Sequence, residues 1–451
     1  MLEELPETLD ETYERILKEI NKANRDHAHR LLQCLTVAAR PLRVAELAEI
    51  LAVDFRTATH GGTSKLNADW RWEDQEQAVL TTCSSLIAVV EEGGNQVVQF
   101  SHFSVKEYLT SPRLANLGAD VSQFHIHLNP AHTILAMACL GTLLRLNGHD
   151  HESDVTVRFP LAEYAARHWV GHAQFQDVAF QIREEMEILF DPGKPHFSAW
   201  IQVYDVDVEP PSGSALWTFA PWEKSPAAPL YYAALCEFHD LAEYLIVNHP
   251  HLVNARGGWF ISPLGAALRR RDFKMAGLLF QHDADVDVRG FGERTLLIAA
   301  SMYGLLDVTQ WLLNQGADPN VQDDIKSDGG GTPLHSAVDE GQFEVARLLL
   351  QYKADSNFQV VTSQLAATEG QPNLSQLMPR HAVDVNARNN YGLTPLYLAS
   401  RKGKLELVHL LIDHGANIDT KDNTGRTAFD VASTEEVSTL LSERGANLKS
   451  A

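Results

Sequence analysis

Cysteine is scarce in this chain: Cys34, Cys83, Cys139 and Cys236 are the only four in 451 residues, and none forms a CxxC pair. Each sits in a helix-like apolar pattern, which predicts reduced thiols in a reducing compartment rather than a disulfide scaffold. Long hydrophobic runs are missing. The longest, Thr133 to Leu144, is too short to span a bilayer and reads as a buried helix. The opening residues MLEELPETLDETYERIL are acidic and amphipathic, unlike a signal or transit peptide. No GxxxxGK[ST] occurs; the nearest string, GGTSK at 61–65, lacks the spacing that wraps backbone amides around phosphates. No GxSxG elbow or Cys/His nucleophile pattern is present either. Positive charge is in deficit, 37 Lys and Arg against 59 Asp and Glu, giving a net charge of −22. Such a chain is repelled by phosphate backbones and anionic membrane surfaces. These absences predict a soluble cytoplasmic protein that is not an enzyme, with no cofactor, no metal, and neither nucleic acid nor membrane as partner.

What is present is self-similarity. GTPLHSAVDEGQFEVARLLLQYKADSN from 331 and GLTPLYLASRKGKLELVHLLIDHGANID from 392 share a TPL opener, a Gly eight residues after the Pro, and a Leu-rich run. The opener slot recurs at Pro229, Pro263, Leu296, Pro333, Thr362, Pro395 and Ala428, with gaps of 34, 33, 37, 29, 33 and 33. This period and the TPLHxA core resemble ankyrin repeats, and the resemblance covers about 226–451. Thr and Pro start each first helix. Gly304, Gly341 and Gly403 suit its left-handed end. The Leu triplets, such as Leu348–Leu350, bury the second helix against the next repeat, so stacking is obligatory. The unit at 362–383 is degenerate: it lacks the Gly-containing turn, and Pro379 replaces its third Leu, which marks it as the expected weak joint.

The ankyrin resemblance implies a ligand-binding concave groove, lined by turn tips and by the pair before each mid-repeat Gly. Those slots hold Trp259, Arg269 and Arg270, then Phe291, Arg294, Met302 and Tyr303, then Asp339 and Glu340, then Tyr391, Arg401 and Lys402. Any single charged pair at a helix end is more simply read as solvated. Aromatics and Met on exposed slots are another matter, because those types are enriched in interface hot spots. The expected partner is a protein with an apolar centre near Tyr303.

Upstream, helical spacing over Leu9–Ile20, His27–Ala38, Val44–Leu51 and Glu73–Cys83 precedes LIAVV–EEGGN–QVVQF, a hairpin, and the short helix SVKEYL. That order predicts a winged helix within 1–112. A helical spacer follows over 113–190, with its best helices at Ala131–Leu146 and Leu161–His172. Residues 191–225 are rich in proline and aromatics (Phe197, Trp200, Trp217, Phe219, Trp222) and read as an ordered connector capping the first repeat. The fold class is therefore mainly α: a winged helix with a short β-hairpin, a helical spacer and a solenoid. A winged helix raises DNA binding, but between Arg71 and Lys106 there is no Lys or Arg, while Glu73, Asp74, Glu76, Glu91 and Glu92 fall there. A groove reader without a cation cannot offset phosphate repulsion. His168 and His172 (HWVGH) have the spacing of helical metal ligands, yet no third ligand or acidic base accompanies them, so packed or solvated histidines are the expectation.

LPETLDETYERIL, RPLRVAELAEILAV, DQEQAVLTTCSSLI and FSHFSVKEYLTS resemble the segment after the NACHT nucleotide-binding module of fungal signal-transduction NTPases. Similar winged helices carry the label of GPI inositol-deacylase. The resemblance continues through FPLAEYAARHWVGHAQ, LFDPGKPHFSAW and PLYYAALCEFHDL into the repeats, as in the NACHT–ankyrin STAND receptors of basidiomycete fungi. It implies a nonself-recognition or immune receptor whose repeats sense a protein ligand, with a NACHT module supplied in cis or trans. The missing P-loop makes this chain look like the C-terminal part of such a receptor. His102 aligns with the family's FxHxSxxEF motif, which implies an imidazole facing a nucleotide phosphate. The plainer reading is a His packing the wing against the last helix. A stand-alone ankyrin adaptor is the alternative to the receptor.

Overall fold

The computed structural model describes residues 9–54, 65–66, 79, 85–147, 155, 157–207, 227–290, 294–323, 330–352 and 382–449. They belong to two compact units, Met1–Val208 and Glu209–Ala451.

In the first unit, α1 (Leu9–Glu19), α2 (Arg25–Val37), strand β1 (Leu42–Arg43) and α3 (Val44–Leu51) open the winged helix. β2 (Val53–Asp54) pairs with β3 (Lys65–Leu66). β4 (Ile87–Glu92) and β5 (Asn95–Phe100) form the expected hairpin, and β1 adds to it in the order β1-β5-β4. The turn is tighter than EEGGN suggested. Glu92 faces Asn95, and Gly93 and Gly94 occupy positive φ of 58° and 81°, which a two-residue primed turn requires. The helix expected over 73–83 lies outside the described residues except for Val79, which is helical and buried.

After α4 (Phe103–Leu109), α5 (Pro112–Ala115) and α6 (Ala119–Ser122), the spacer is built on α7 (Leu128–Leu143). α7 buries residues all round, as its apolar stretch predicted, against α2 and α8 (Ala162–Ala173). The short helices α9 (Val178–Gln181), α10 (Arg183–Leu189) and α11 (His196–Val203) complete this layer. Two buried carboxylates of α3 are held by fixed donors. Glu46 takes a bidentate pair from Arg40 at 2.8 and 2.6 Å and the Arg43 amide at 2.7 Å. Glu49 takes the Leu161 amide at 2.9 Å and Arg145 at 3.2 Å, tying the winged helix to the spacer. Cys34, Cys139 and Cys236 are buried free thiols, and burial pushes Cys34 up to about 12.

Phe197 and Trp200 of the expected connector sit in the spacer core, with the Trp200 ring 5.2 Å from Trp169 and 5.7 Å from Phe190, and its Nε1–H donating to the Ala166 carbonyl at 3.0 Å. Trp217, Phe219 and Trp222 lie outside the described residues.

The second unit stacks helix pairs: α12 (Pro229–Leu235) with α13 (His239–Asn248), α14 (Pro263–Arg269) with α15 (Phe273–Gln281), and α16 (Leu296–Met302) with α17 (Leu306–Asn314). α18 (Pro333–Glu340) with α19 (Phe343–Gln351) and α20 (Pro395–Arg401) with α21 (Leu405–Asp413) follow, then α22 (Glu435–Lys449). Ser262, Thr295, Thr332 and Thr394 cap the first helices by accepting from the amide three residues on. The mid-repeat slot is left-handed throughout: Gly304, Gly341 and Gly403 lie at φ 69°, 78° and 67°, but Glu237 and Arg271 occupy it in the first two rungs. Inner helices pack closely along the stack except at α14 and α16. That joint is closed by Arg271–Asp307 at 3.0 Å and by Trp311 against Phe273 and Phe280.

A side-chain ladder runs along the turns. Asn254 accepts from the Asp285 amide at 2.8 Å, Asp287 from Asp318 at 3.2 Å, Asn320 from Asp384 at 2.7 Å, and Asn386 from Asn417 at 2.7 Å. Three of these steps span 31 residues and the Asn320 step spans 64. The next rung therefore joins on through Ala382–Ala387. α20 packs directly on α18, and His335 Nε2–H donates across to the Leu393 carbonyl at 3.0 Å. The degenerate unit at 362–383 lies outside the described residues apart from its last two. Excising 353–381 so that Tyr352 meets Ala382 is expected to leave one cooperative melt for the repeat unit, within a few degrees of the parent. Loss of the α18 and α20 melting signal would show that the segment holds the stack together.

Candidate functional site

The inner helices carry their last residues to one face, where the side chains of three successive rungs surround a cavity of about 380 Å³. Its walls include Arg294, Met302, Asp339, Glu340, Tyr391 and Arg401, six of the residues singled out from the sequence. The cavity exists because α16, α18 and α20 stack in register. Each helix ends on its groove residues, and the turn before the next opener supplies the rim.

Much of the charge is already neutralised within the chain. Arg294 is mostly buried, bonds Asp323 at 3.4 Å and lies 3.7 Å from the Met302 sulfur. Lys402 pairs with the Asp339 carboxylate at 3.0 Å and donates to its carbonyl at 2.7 Å, and Arg401 approaches the same carboxylate at 3.8 Å. Arg270 pairs with Glu237 at 2.8 Å. Several of the charged slots expected to face a ligand are therefore engaged in cross-rung ion pairs. Arg269 is different. Its guanidinium lies over the Phe260 ring at 5.7 Å, and burial and neighbouring Arg270 lower its pKa. Trp259 and Tyr303 are half-buried, and Tyr391 is 48% exposed. Phe291 lies outside the described residues.

Asp323, His335 and Asn389 also line the cavity and were not foreseen. A positional signal existed: Asn389 and Asp422 each stand five residues before an opener Thr, and each folds its turn by accepting from the amides two and four residues on. Asp323 holds the matching slot before the extended turn. His335 is buried. Its Nε2–H reaches Leu393, its Nδ1 accepts from the Thr332 amide at 3.3 Å, and burial holds its pKa down to about 4.

In the first unit, His102 caps α4: its Nδ1 accepts from the Ser104 amide at 3.3 Å, and Tyr13 is linked to it through the Ser104 hydroxyl. The ring is exposed and leans on Phe103, which is 72% exposed, so His102 does not pack the wing onto a helix. Capping through Nδ1 places the ring proton on Nε2. His168 and His172 do not converge. His172 turns inward to the Tyr164 hydroxyl and to His132, each at 2.9 Å, while His168 leans on the Tyr164 ring. Burial, with His132 and His168 nearby, holds the His172 pKa down to about 3. Among the described residues no three His, Cys, Asp or Glu side chains are placed to hold a metal ion, and no helix is long and apolar enough to cross a membrane. On the wing, Glu91 and Glu92 are exposed.

Comparison with known proteins agrees with this architecture. Ankyrin repeats match three times, over residues 230–323, 290–360 and 364–451, and the winged helix domain of GPI inositol-deacylase matches over 13–122. The chain is 31% identical over 301 residues to "Azaphilone pigments biosynthesis cluster protein L" of Monascus ruber, covering 63% of this chain and 61% of that protein. It is 26% identical over 133 residues to "Putative ankyrin repeat protein L371" of Acanthamoeba polyphaga mimivirus, covering 30% of this chain and 17% of that one. A second protein of that virus, "Putative ankyrin repeat protein L92", is 38% identical over 63 residues, 14% of each chain. The chain thus spans less than two thirds of the length of these relatives.

Proposed function

We propose that this chain, which carries ankyrin repeats and a winged helix, is the non-catalytic ligand-sensing part of a NACHT-type receptor, and that a protein ligand lies in the repeat groove. Ankyrin repeats are protein-binding modules, and the observation that carries the groove assignment is the cavity assembled by three rungs from Arg294, Met302, Glu340 and Tyr391. Exposed aromatic and Met surface beside fixed ion pairs is the composition of an interface core with a polar rim. The exposed His102, with its proton on Nε2, supports the receptor half of the reading: a NACHT module docked on the winged helix would find a donor for its nucleotide there. The cation-free wing supports a protein-facing role over a nucleic-acid one.

Partner capture tests the groove. Met302→Ala/Tyr303→Ala and Asp339→Lys/Glu340→Lys are expected to lower partner affinity about tenfold or more, as loss of interface anchors does. If both variants fold and keep every partner at unchanged affinity, the groove is not the site. Transcript sequencing upstream of Met1 tests the receptor: an in-frame Walker motif is expected, and a stop codon without one leaves the stand-alone adaptor.

A further inference from the structure

The groove's charges divide into those satisfied within the chain and those left over, and the remainder has a direction. Arg270, Arg294, Arg401 and Lys402 all have carboxylate partners. Among the described residues Arg269 and Glu340 form no ion pair. They stand at the ends of α14 and α18, two rungs apart. Arg269 is half-buried against Phe260, so its charge is partly stripped of water with no carboxylate to offset that. At the other end, the charged side chains of the cavity wall are Arg294 and Arg401 against Asp323, Asp339 and Glu340, which sum to −1 with His335 neutral at physiological pH. Met302 and the exposed ring of Tyr391 give that cavity apolar and aromatic surface.

We propose, on the basis of the groove reading, that the ligand is an extended segment of a partner protein carrying an acidic residue against Arg269 and an arginine or lysine inserted between Glu340 and Tyr391. A long cation suits the cavity. Its stem lies along Met302, its head group pairs with Glu340, and the Tyr391 face takes a guanidinium by cation–π contact. An acidic head group meets Arg269 as a forked donor. Stacked helices lie 8–10 Å apart, so two steps, one of them across the looser α14–α16 joint, span about 20 Å. An extended chain rises about 3.3 Å per residue, which sets the acid and the base about six residues apart. The ion pairs already closed along the groove make it indifferent to charge between those two points, and an apolar residue fits there.

Selection of random dodecapeptides on the full chain tests this. Enriched peptides are expected to carry an acid and a base five to seven positions apart in one order, and to lose at least tenfold in affinity when that spacing is cut to three. The Arg269→Glu/Glu340→Arg double variant is expected to select the opposite order. Peptides that lose binding with Met302→Ala/Tyr391→Ala but show no charge spacing overturn the register and leave the groove standing. Peptides untouched by all these substitutions, or no enrichment at all, overturn the register and the groove together.

Discussion

Trp200→Ala is expected to cost the first unit about 3–5 kcal/mol, the range for emptying an aromatic site in a packed core. Trp200 is fully buried at the meeting point of Trp169, Phe190 and Phe197, with ring centroids 5.2 to 5.9 Å away. No water replaces that contact, and the Ala166 carbonyl loses its donor. Trp200→Phe keeps most of the ring and should cost clearly less. Urea unfolding of residues 1–208, followed by amide exchange in α7 and α8, reads the effect. A loss under 1 kcal/mol for the Ala variant would mean that α11 is not part of this core.

The second large effect lies at His335 and depends on pH. Burial holds its folded pKa down to about 4 against an ordinary 6.5. Below pH 6.5 the unfolded chain takes up a proton that the folded chain refuses, so the stability present above 6.5 is lost as pH falls towards 4. The span corresponds to about 3 kcal/mol, because one pKa unit is worth about 1.4 kcal/mol. His335→Ala should cost about 2–4 kcal/mol at pH 7.5, from the lost packing and the lost hydrogen bonds to Leu393 and Thr332. It should also remove that part of the acid limb. Denaturant-dependent exchange of α18 and α20 at pH 7.5, 5.5 and 4.5 makes the comparison. An identical acid limb in the variant would place the titration elsewhere.

The repeats were legible because a solenoid writes its period into the chain: Pro and Thr openers, mid-repeat Gly and Leu runs each answer a local need. Which turn meets Asn320 was not legible, because that contact spans 64 residues. The hairpin was legible from Gly93–Gly94, whereas β1 is two residues long and exists only because β5 lies beside it. The groove slots were legible as positions but not as charges. Nothing local tells that Arg270 faces Glu237 or that Asp339 takes both Arg401 and Lys402, since each pair bridges neighbouring rungs. Trp200 read as a cap because its prolines were counted with it, while its ring partners Phe190 and Trp169 lie 10 and 31 residues upstream.

The turn ladder that skips from Asn320 to Asp384 has a consequence for how such chains change over generations. Every rung offers its successor the same surface, a carboxylate or amide in the turn and a helix pair beside it. Two units 64 residues apart in sequence can then close on each other through Asn320 and Asp384 as units 31 residues apart do elsewhere. The gene keeps the extra length and the array keeps its continuity. Distance along the gene thus does not by itself say which turns meet in the array.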